Sequence, residues 1–243
     1  MPSTHRDAAS DPLQALYEVS HLAGGRARVP AMTLALEANF GSVDRWRSAF
    51  TALSEAPGHA SGWLLLTFMP GDGSLINEWA ADPTYAIAGG VPLLALDLGR
   101  RSARLDGGDG APGFVEAFVD DIDWAAVYER YQHAVHEASE PFGADQDELG
   151  DAFLLDVRRA GMFEKAEALI PGAEWRDPAA VSAWSGDIPA DREVVVYCIY
   201  GHEVGRATTL RLRAQGVPAR YLRGGIDGWQ SAGRPLEPKE ASS

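Results

Sequence analysis

Two different patterns of apolar residues divide this chain of 243 residues, and they predict two different folds. In the second half, short runs of β-forming residues alternate with segments of helical spacing. The predicted strands are 153–157, 194–197 and 219–222, and the predicted helices are 161–169 and 207–215. Strands that alternate with helices pair in parallel and are covered on both faces. This half is therefore predicted to be an α/β domain, a parallel sheet covered by helices.

The first half has helices before and after its strands. Its apolar spacing predicts helices at 32–40 and 43–53, strands at 63–68, 75–79 and 91–98, and helices at 114–119 and 124–135. Ser42 precedes the second helix and is a favourable N-cap residue. The sequence Pro70-Gly71-Asp72-Gly73 separates the first two strands and predicts a β-hairpin. We therefore expect an α+β domain in which helices surround a small antiparallel sheet.

The charge is distributed unevenly along the chain, which helps to place a domain boundary. The first 150 residues carry 22 acidic and 9 basic side chains, whereas the remaining residues carry 13 and 12. The transition falls in HEASEPFGADQDELG, an acidic stretch with Gly and Pro but no apolar periodicity, which is typical of a linker. We predict a first domain over residues 1–136, a linker over 137–146 and a second domain over 147–243.

Composition excludes several classes of function. The net charge of −14 disfavours binding to a phosphate backbone, so no nucleic acid partner is expected. The longest apolar runs are far shorter than the roughly 20 residues that span a bilayer, and the N-terminus shows no secretory signal. A single cysteine forms no internal disulfide and no thiolate zinc cluster. We expect a cytoplasmic protein with no membrane partner, for which a homo-oligomer remains open.

Cys198 is the only cysteine, and it directly follows a predicted strand. We place Ile199 through Val204 in a loop and the start of the next helix near Arg206. Backbone N–H groups in the first turn of a helix are unpaired, and the helix dipole is positive there. Both favour a thiolate with a lowered pKa. The alternative is a small apolar residue without a chemical role, because free cysteine is often buried and inert.

Four segments of the second half carry a family signature: Leu154–Arg158 (LLDVR), Ile170–Ala173 (IPGA), Val195–Cys198 (VVYC) and Leu222–Trp229 (LRGGIDGW). In this order and spacing, over about residues 147–238, they resemble the rhodanese family of sulfurtransferases. The resemblance implies a double displacement in which Cys198 takes the outer sulfur of a donor as a persulfide and passes it to an acceptor. The implied partners are a small-molecule or protein sulfur donor and acceptor, and no cofactor is expected.

The same resemblance implies roles for further residues. The backbone amides of the loop would hold the anionic persulfide, which gives as binding residues Ile199, Tyr200, Gly201, His202, Glu203 and Val204. Asp156 and Arg158 match the end of the family's Asp-Val-Arg strand and are expected to tie this strand to a loop. Direct contact of Arg158 with substrate is the alternative.

The loop departs from the family pattern because it contains no fixed cation. Many rhodanese loops carry Arg or Lys here, whereas this one has His202 and Glu203. The charge of Glu203 would repel anionic thiosulfate, which favours a low-molecular-weight or protein persulfide as donor. His202 is open to two interpretations, a solvated side chain or an acid–base group. Five later arginines are expected to lie on solvated surface, and a cationic rim around the site is the alternative: Arg206, Arg211, Arg213, Arg220 and Arg223.

A class of cysteine phosphatases shares the rhodanese fold, so this activity is also considered. These enzymes use an arginine six residues after the cysteine, whose guanidinium binds two phosphate oxygens. That position is Val204 in this chain, and Arg206 lies two residues further on, in the predicted helix. Phosphatase chemistry is therefore disfavoured.

Five segments of the first half carry a second signature: Phe40–Ser42 (FGS), Ser61–Trp63 (SGW), Val91–Asp97 (VPLLALD), Phe114–Phe118 (FVEAF) and Asp123-Trp124. In this order, over about residues 12–135, they resemble the C-terminal portion of the iron/manganese superoxide dismutases. The resemblance implies one redox metal held by three His and one Asp.

Most of these implied metal ligands are replaced in this chain. Asp97 matches the aspartate, but the second histidine position falls at Leu13 and the last at Arg101. The first histidine belongs to an N-terminal helix that the chain is expected to lack. A lone carboxylate does not hold iron or manganese against water. We expect a metal-free domain in which Asp97 is a vestigial ligand position, paired with a neighbouring arginine.

Three functions follow from these observations. The first is a rhodanese-like sulfurtransferase with a metal-free, dismutase-like accessory domain. The second is an iron/manganese superoxide dismutase-type metalloenzyme with a rearranged site. The third is a non-catalytic interaction module, in which the acidic first half docks a partner and Cys198 is inert.

Overall fold

The computed structural model describes residues 12–20, 29–56, 58–59, 61–82, 86, 88–100 and 111–239. Arg101, which occupies the position of the last metal-binding histidine, lies outside these residues. Within the described ranges, no helix is both long enough and apolar enough to cross a membrane.

The first half has the predicted α+β arrangement. Its elements are α1 (Pro12–Val19), α2 (Pro30–Phe40), α3 (Val43–Glu55), β1 (Trp63–Met69), β2 (Ser74–Ala80), β3 (Val91–Asp97), α4 (Ala111–Asp120) and α5 (Trp124–Ser139). The strands form an antiparallel sheet in the order β2-β1-β3. Ser42 caps α3 as predicted, since its hydroxyl accepts a hydrogen bond from the backbone N–H of Arg45 at 3.0 Å.

The second half is the predicted parallel sheet with helices. Its elements are β4 (Gly143–Ala144), β5 (Phe153–Asp156), α6 (Ala160–Glu164), β6 (Ala168–Leu169), β7 (Glu174–Trp175), α7 (Val181–Trp184), β8 (Val194–Tyr197), α8 (Glu203–Ala214), β9 (Ala219–Leu222), α9 (Gly225–Ser231) and β10 (Glu237–Pro238). Five strands pair in parallel in the order β4-β9-β8-β5-β7. The central strand, β8, is buried along its whole length because its four side chains are apolar or aromatic.

The structure differs from the predicted linker over residues 137–146. Helix α5 continues to Ser139, which is fully buried, and a 3-10 turn follows at Glu140–Phe142. Gly143–Ala144 then pairs in parallel with Tyr221–Leu222 as an edge strand. The chain therefore passes from the last helix of the first half directly into the sheet of the second half. The acidic side chains that suggested a linker belong in part to the exposed face of a helix.

Two further element boundaries differ from the predictions. The predicted helix at 161–169 is a short helix, α6, which ends before β6, and β6 pairs with β10. Helix α8 begins at Glu203 rather than near Arg206, because His202 is extended and its carbonyl accepts the backbone N–H of Arg206 at 3.2 Å. Glu203 and Val204 therefore lie in the first turn of a helix and not in the loop.

Helix α8 packs against both halves of the protein. Its Leu212 belongs to an apolar core of the second half, whereas Ala207 and Leu210 belong to the apolar core of the first half. On the side of the first half, α8 lies against α5. A helix with apolar residues on two faces must be covered on both, so α8 fixes the second half against the first.

The prediction that the five arginines lie on solvated surface is wrong for two of them, Arg206 and Arg211 of α8. Arg206 Nη1 donates to Ser139 Oγ at 3.1 Å, and Arg211 Nη1 donates to the carbonyl of Ala38 at 3.1 Å. Both acceptors belong to helices of the first half. Arginine presents several donors in one rigid group, and here these donors satisfy backbone and side-chain oxygens at the junction of the two halves.

Candidate functional site

Cys198 follows β8 directly, at the carboxyl end of the parallel sheet, where ligands of such sheets bind. It is only 6% exposed. It lines a cavity of about 260 Å³ together with Tyr128, Arg158, Arg159, Met162, Ile199, Tyr200, His202, Glu203 and Val204. The structure thus brings most of the predicted loop residues to one cavity around the sulfur.

The loop after Cys198 is closed by a glycine that no other residue can replace without strain. Gly201 has a φ of +70°, and a Cβ there would lie 2.7 Å from the carbonyl oxygen of Leu222. On the other side, the backbone N–H of Ile226 donates to the carbonyl of Cys198 at 3.0 Å. The loop is therefore held against the turn that leads into α9, with its amides directed inward.

Three backbone N–H groups donate to the sulfur of Cys198, those of Gly201, His202 and Gly205. Each of them lowers the pKa of the thiol, in the direction that was predicted. Burial has the larger and opposite effect, and the charge of Glu203 adds to it, so the pKa of Cys198 lies above its ordinary value. The predicted low-pKa thiolate is therefore wrong, because desolvation of the enclosed sulfur outweighs the N–H groups.

Glu203 is a buried carboxylate beside the sulfur, and it has partners in both halves of the protein. Arg159 lies 3.6 Å from it, between Nη2 and Oε1, and Gln132 Nε2 donates to Oε2 at 3.3 Å. Tyr128 donates its phenol O–H to the same carboxylate, and burial together with the charge of Glu203 raises the pKa of Tyr128. A buried carboxylate needs such partners to remain charged.

Asp156 and Arg158 form a buried pair at the end of β5. The Arg158 guanidinium lies 2.6 Å from Asp156, between Nη2 and Oδ2, and its Nε lies 2.9 Å from the same oxygen. Tyr197 donates its O–H to Asp156 at 3.1 Å, and Arg158 Nη2 also donates to the carbonyl of Ala168 at 3.1 Å. The pair joins two strands to the segment that enters β6, and it neutralises the Arg158 charge at the cavity wall.

Three lining residues were missed by sequence reasoning. Arg159 and Met162 follow the Asp-Val-Arg segment closely, and this proximity was the only signal for them. Tyr128 comes from α5 of the first half, 70 residues before the cysteine, and the sequence gives no signal for it. His202 is exposed at the rim, where its ring centroid lies 5.8 Å from that of His136.

The arginine nearest to a phosphatase-type position is engaged elsewhere. Arg206 Nε donates to the carbonyl of Gly201 at 2.9 Å, and its Nη1 reaches Ser139 and Glu140. The residue six positions after Cys198 is Val204, which is apolar. The structure therefore does not supply the forked contact to phosphate from this position.

Around the dismutase-like position Asp97, the described residues do not fit an iron or manganese ion. The carboxylate of Asp97 accepts the backbone N–H of Gly99 at 2.8 Å and lies 3.4 Å from Nε of Arg100. Leu13, at the position of the second histidine, is buried in the apolar core. Among the residues that the structure describes, no three His, Cys, Asp or Glu side chains are grouped so that they could hold a metal.

Two family models match the chain. Residues 29–130 match the model of the iron/manganese superoxide dismutases, C-terminal domain, and residues 135–232 match the model of the rhodanese-like domain. The protein is thus a two-domain fusion of a dismutase-like and a rhodanese-like domain, as the sequence predicted.

Known proteins are similar to parts of the chain. The iron superoxide dismutase of Cupriavidus metallidurans is 43% identical over 124 residues, which are 50% of this chain and 63% of that protein. A manganese superoxide dismutase of Halobacterium salinarum is 37% identical over 114 residues, which are 46% of this chain and 55% of that protein. The chain thus spans little more than half the length of these relatives, in their C-terminal part. The solved structure of a rhodanese-related protein from Thermoplasma volcanium is 19% identical, with a TM-score of 0.36, and covers 39% of this chain and 96% of its own.

Proposed function

We propose that the protein is a sulfurtransferase that carries one sulfur atom as a persulfide on Cys198. The observation that carries this proposal is the sulfur in a cavity, with three backbone N–H groups directed at it. Those N–H groups compensate a negative charge in a site from which water is largely excluded. A persulfide places its anionic outer sulfur within the same site.

The reaction has two displacement steps. In the first, the Cys198 thiol loses its proton and the resulting thiolate attacks the outer sulfur of a donor persulfide. The S–S bond of the donor breaks, and the donor leaves as a thiolate that takes up a proton. In the second, a nucleophilic acceptor attacks the outer sulfur on Cys198, and the Cys198 thiolate leaves. No electrons are gained or lost overall, so no cofactor is required. Space for the outer sulfur is provided by the cavity of about 260 Å³ that Cys198 lines.

The charges around the sulfur favour an uncharged or weakly charged donor end over thiosulfate. Glu203 is negative and acts on the sulfur directly. Arg158 is paired with Asp156, and Arg159 is paired with Glu203, so both cations of the cavity wall already have anionic partners. A dianion would meet the Glu203 charge with little compensation. The proposed donor is therefore a persulfide.

The dismutase-like domain is proposed to be metal-free and accessory to this reaction. Support comes from Asp97, which pairs with Arg100, and from Leu13, which lies in the apolar core. We further propose that the protein acts in the cytoplasm, without nucleic acid or membrane partners. Metal analysis of protein produced in medium with iron and manganese tests the first part, because one metal per chain would overturn it.

The test of the proposed reaction uses the full-length, reduced protein. Intact-mass measurement after incubation with a low-molecular-weight persulfide should show the addition of one sulfur, and a thiol acceptor should then remove it. Cys198→Ser should show neither change, and Cys198 is the only cysteine in the chain. Absence of the adduct in the unchanged protein, while iodoacetamide still alkylates the same sample, would overturn the proposal.

A further inference from the structure

One wall of the Cys198 cavity is supplied by the dismutase-like domain. Tyr128, on α5, lines the cavity and donates its O–H to Glu203. One turn later on the same helix, Gln132 donates to Glu203 at 3.3 Å. Two side chains on successive turns of α5, a helix of the first domain, thus donate to Glu203, which lies next to the sulfur of Cys198 in the second domain.

This wall is held in place by the packing of α5 on α8. Ala207 and Leu210 of α8 are buried in the core of the first half. Further along, Arg206 Nη1 donates to Ser139 Oγ at 3.1 Å, at the end of α5. Contacts at both the middle and the end of α5 prevent Tyr128 from moving away unless the domain junction opens.

The cavity behind this wall is small. Its volume is about 260 Å³, just below the usual range for small-molecule sites. Cys198 is 6% exposed within it, whereas Met162 and Tyr200 of the lining are 48% and 54% exposed. The sulfur is therefore enclosed and the two large side chains are more accessible than it is. A reacting group that enters the cavity therefore meets these side chains and Tyr128 in its lining.

We propose that Tyr128 is a specificity-determining residue of the Cys198 site, through which the dismutase-like domain restricts sulfur donors and acceptors to low-molecular-weight molecules with a narrow reactive end. This inference rests on the proposed sulfur transfer, since it concerns the substrates of that reaction. It gives the dismutase-like domain a role that needs no metal.

The first test measures access to the sulfur with two reagents of the same chemistry and different bulk. The second-order rate constants for alkylation of Cys198 by N-ethylmaleimide and by N-pyrenylmaleimide are measured in the reduced full-length protein. Tyr128→Ala should raise the pyrenyl-to-ethyl ratio by about tenfold, or about 1.4 kcal/mol of steric hindrance. Tyr128→Phe should keep the original ratio because the ring remains. Glu129→Ala, an exposed position on the same helix, should also keep it.

Two results would overturn the inference. An unchanged ratio in Tyr128→Ala would show that the ring does not limit access. An equal rise in Tyr128→Ala and Tyr128→Phe would assign the effect to the hydrogen bond with Glu203 rather than to the wall. If circular dichroism shows that Tyr128→Ala is unfolded, Tyr128→Leu is used in its place with the same criteria, since it shortens the wall but keeps an apolar side chain at the junction.

The second test uses sulfur donors and separates the inference from the proposed function. Intact mass should show faster sulfur uptake from cysteine persulfide than from a persulfidated protein, and Tyr128→Ala should narrow this difference. Faster uptake from the protein donor would overturn the inference. If neither donor transfers sulfur to Cys198, the proposed function is overturned. The ratio of the two maleimide rate constants would still report whether Tyr128 controls access to the sulfur.

Discussion

Gln132 of the dismutase-like domain donates a hydrogen bond of 3.3 Å, from Nε2 to Oε2, to Glu203 of the rhodanese-like domain. Glu203 in turn raises the pKa of Cys198 through its charge. The electrostatic setting of the sulfur is therefore shared between the two domains. Removal or displacement of the Glu203 charge should therefore change the pKa of the Cys198 thiol.

Glu203→Gln should lower the pKa of Cys198. The substitution removes the negative charge that favours the neutral thiol and leaves the cation of Arg159 nearby, and both changes favour the thiolate. The midpoint of the pH dependence of alkylation should therefore move to lower pH. The rate of alkylation by iodoacetamide as a function of pH measures it. Reaction with thiosulfate should also become faster, because the anion is no longer repelled.

The control for this variant is Glu164→Gln, which removes the same charge from an exposed position at the end of α6. It should leave the pH profile of alkylation unchanged. If Glu203→Gln moves the midpoint to higher pH or not at all, the charge of Glu203 does not act on the sulfur as the structure indicates.

Gly201→Ala should destabilise the protein by about 1–3 kcal/mol and slow sulfur uptake. A side chain at this left-handed position would lie 2.7 Å from the carbonyl oxygen of Leu222 and 2.9 Å from the amide nitrogen of Gly224, both backbone atoms. The loop must therefore shift, and its N–H groups move away from the sulfur. Urea unfolding and intact-mass kinetics measure the two effects. Gly161→Ala is the matched control, since nothing lies within 4 Å of a Cβ there, and a similar loss of stability in both variants would contradict the argument.

Much of the fold could be predicted from the sequence because the decisive patterns are local. Val194–Tyr197 is apolar on both faces, which is the pattern of a central parallel strand. Pro70-Gly71-Asp72-Gly73 marks a hairpin, and Ser42 marks a helix start. The structure differs from the predicted linker over residues 137–146. The reason is that composition alone does not distinguish the exposed side of a helix, here up to Ser139, from an irregular segment.

The candidate site could be predicted only in part. The position of Cys198 after a strand is a local feature, whereas the pKa of its thiol depends on how completely the cavity encloses it. That enclosure involves Tyr128, which is distant in the sequence. The periodicity of α5 shows that the helix has an apolar face, but it does not show that α8 covers it. Interdomain packing was therefore the missing information.

Leu210→Ala should destabilise the protein by about 2–5 kcal/mol, although Leu210 belongs to the rhodanese-like domain. Its side chain is 2% exposed and lies in the apolar core of the dismutase-like domain, so truncation leaves a cavity at the junction. Urea unfolding of the full-length protein measures the loss. Val19→Ala removes methyl groups from a residue that is 47% exposed and should change stability by less than about 0.5 kcal/mol. Near-equal stability of Leu210→Ala and the unchanged protein would show that the domains do not share a core.

His136→Gln should make the stability of the protein less sensitive to acid. Burial, followed by the charges of Arg206 and His202, lowers the pKa of His136, and its Nε2 has no hydrogen-bond partner among the described residues. Since the unfolded chain takes up this proton at higher pH than the folded protein does, the group favours folding above about pH 6.5, and this contribution is lost as the pH falls through the lowered pKa. Unfolding free energies from urea titrations between about pH 7 and pH 5 should therefore decline less steeply in His136→Gln. His133→Gln, at an exposed position of the same helix, should decline as the unchanged protein does, and an equal slope in all three proteins would show that His136 titrates normally.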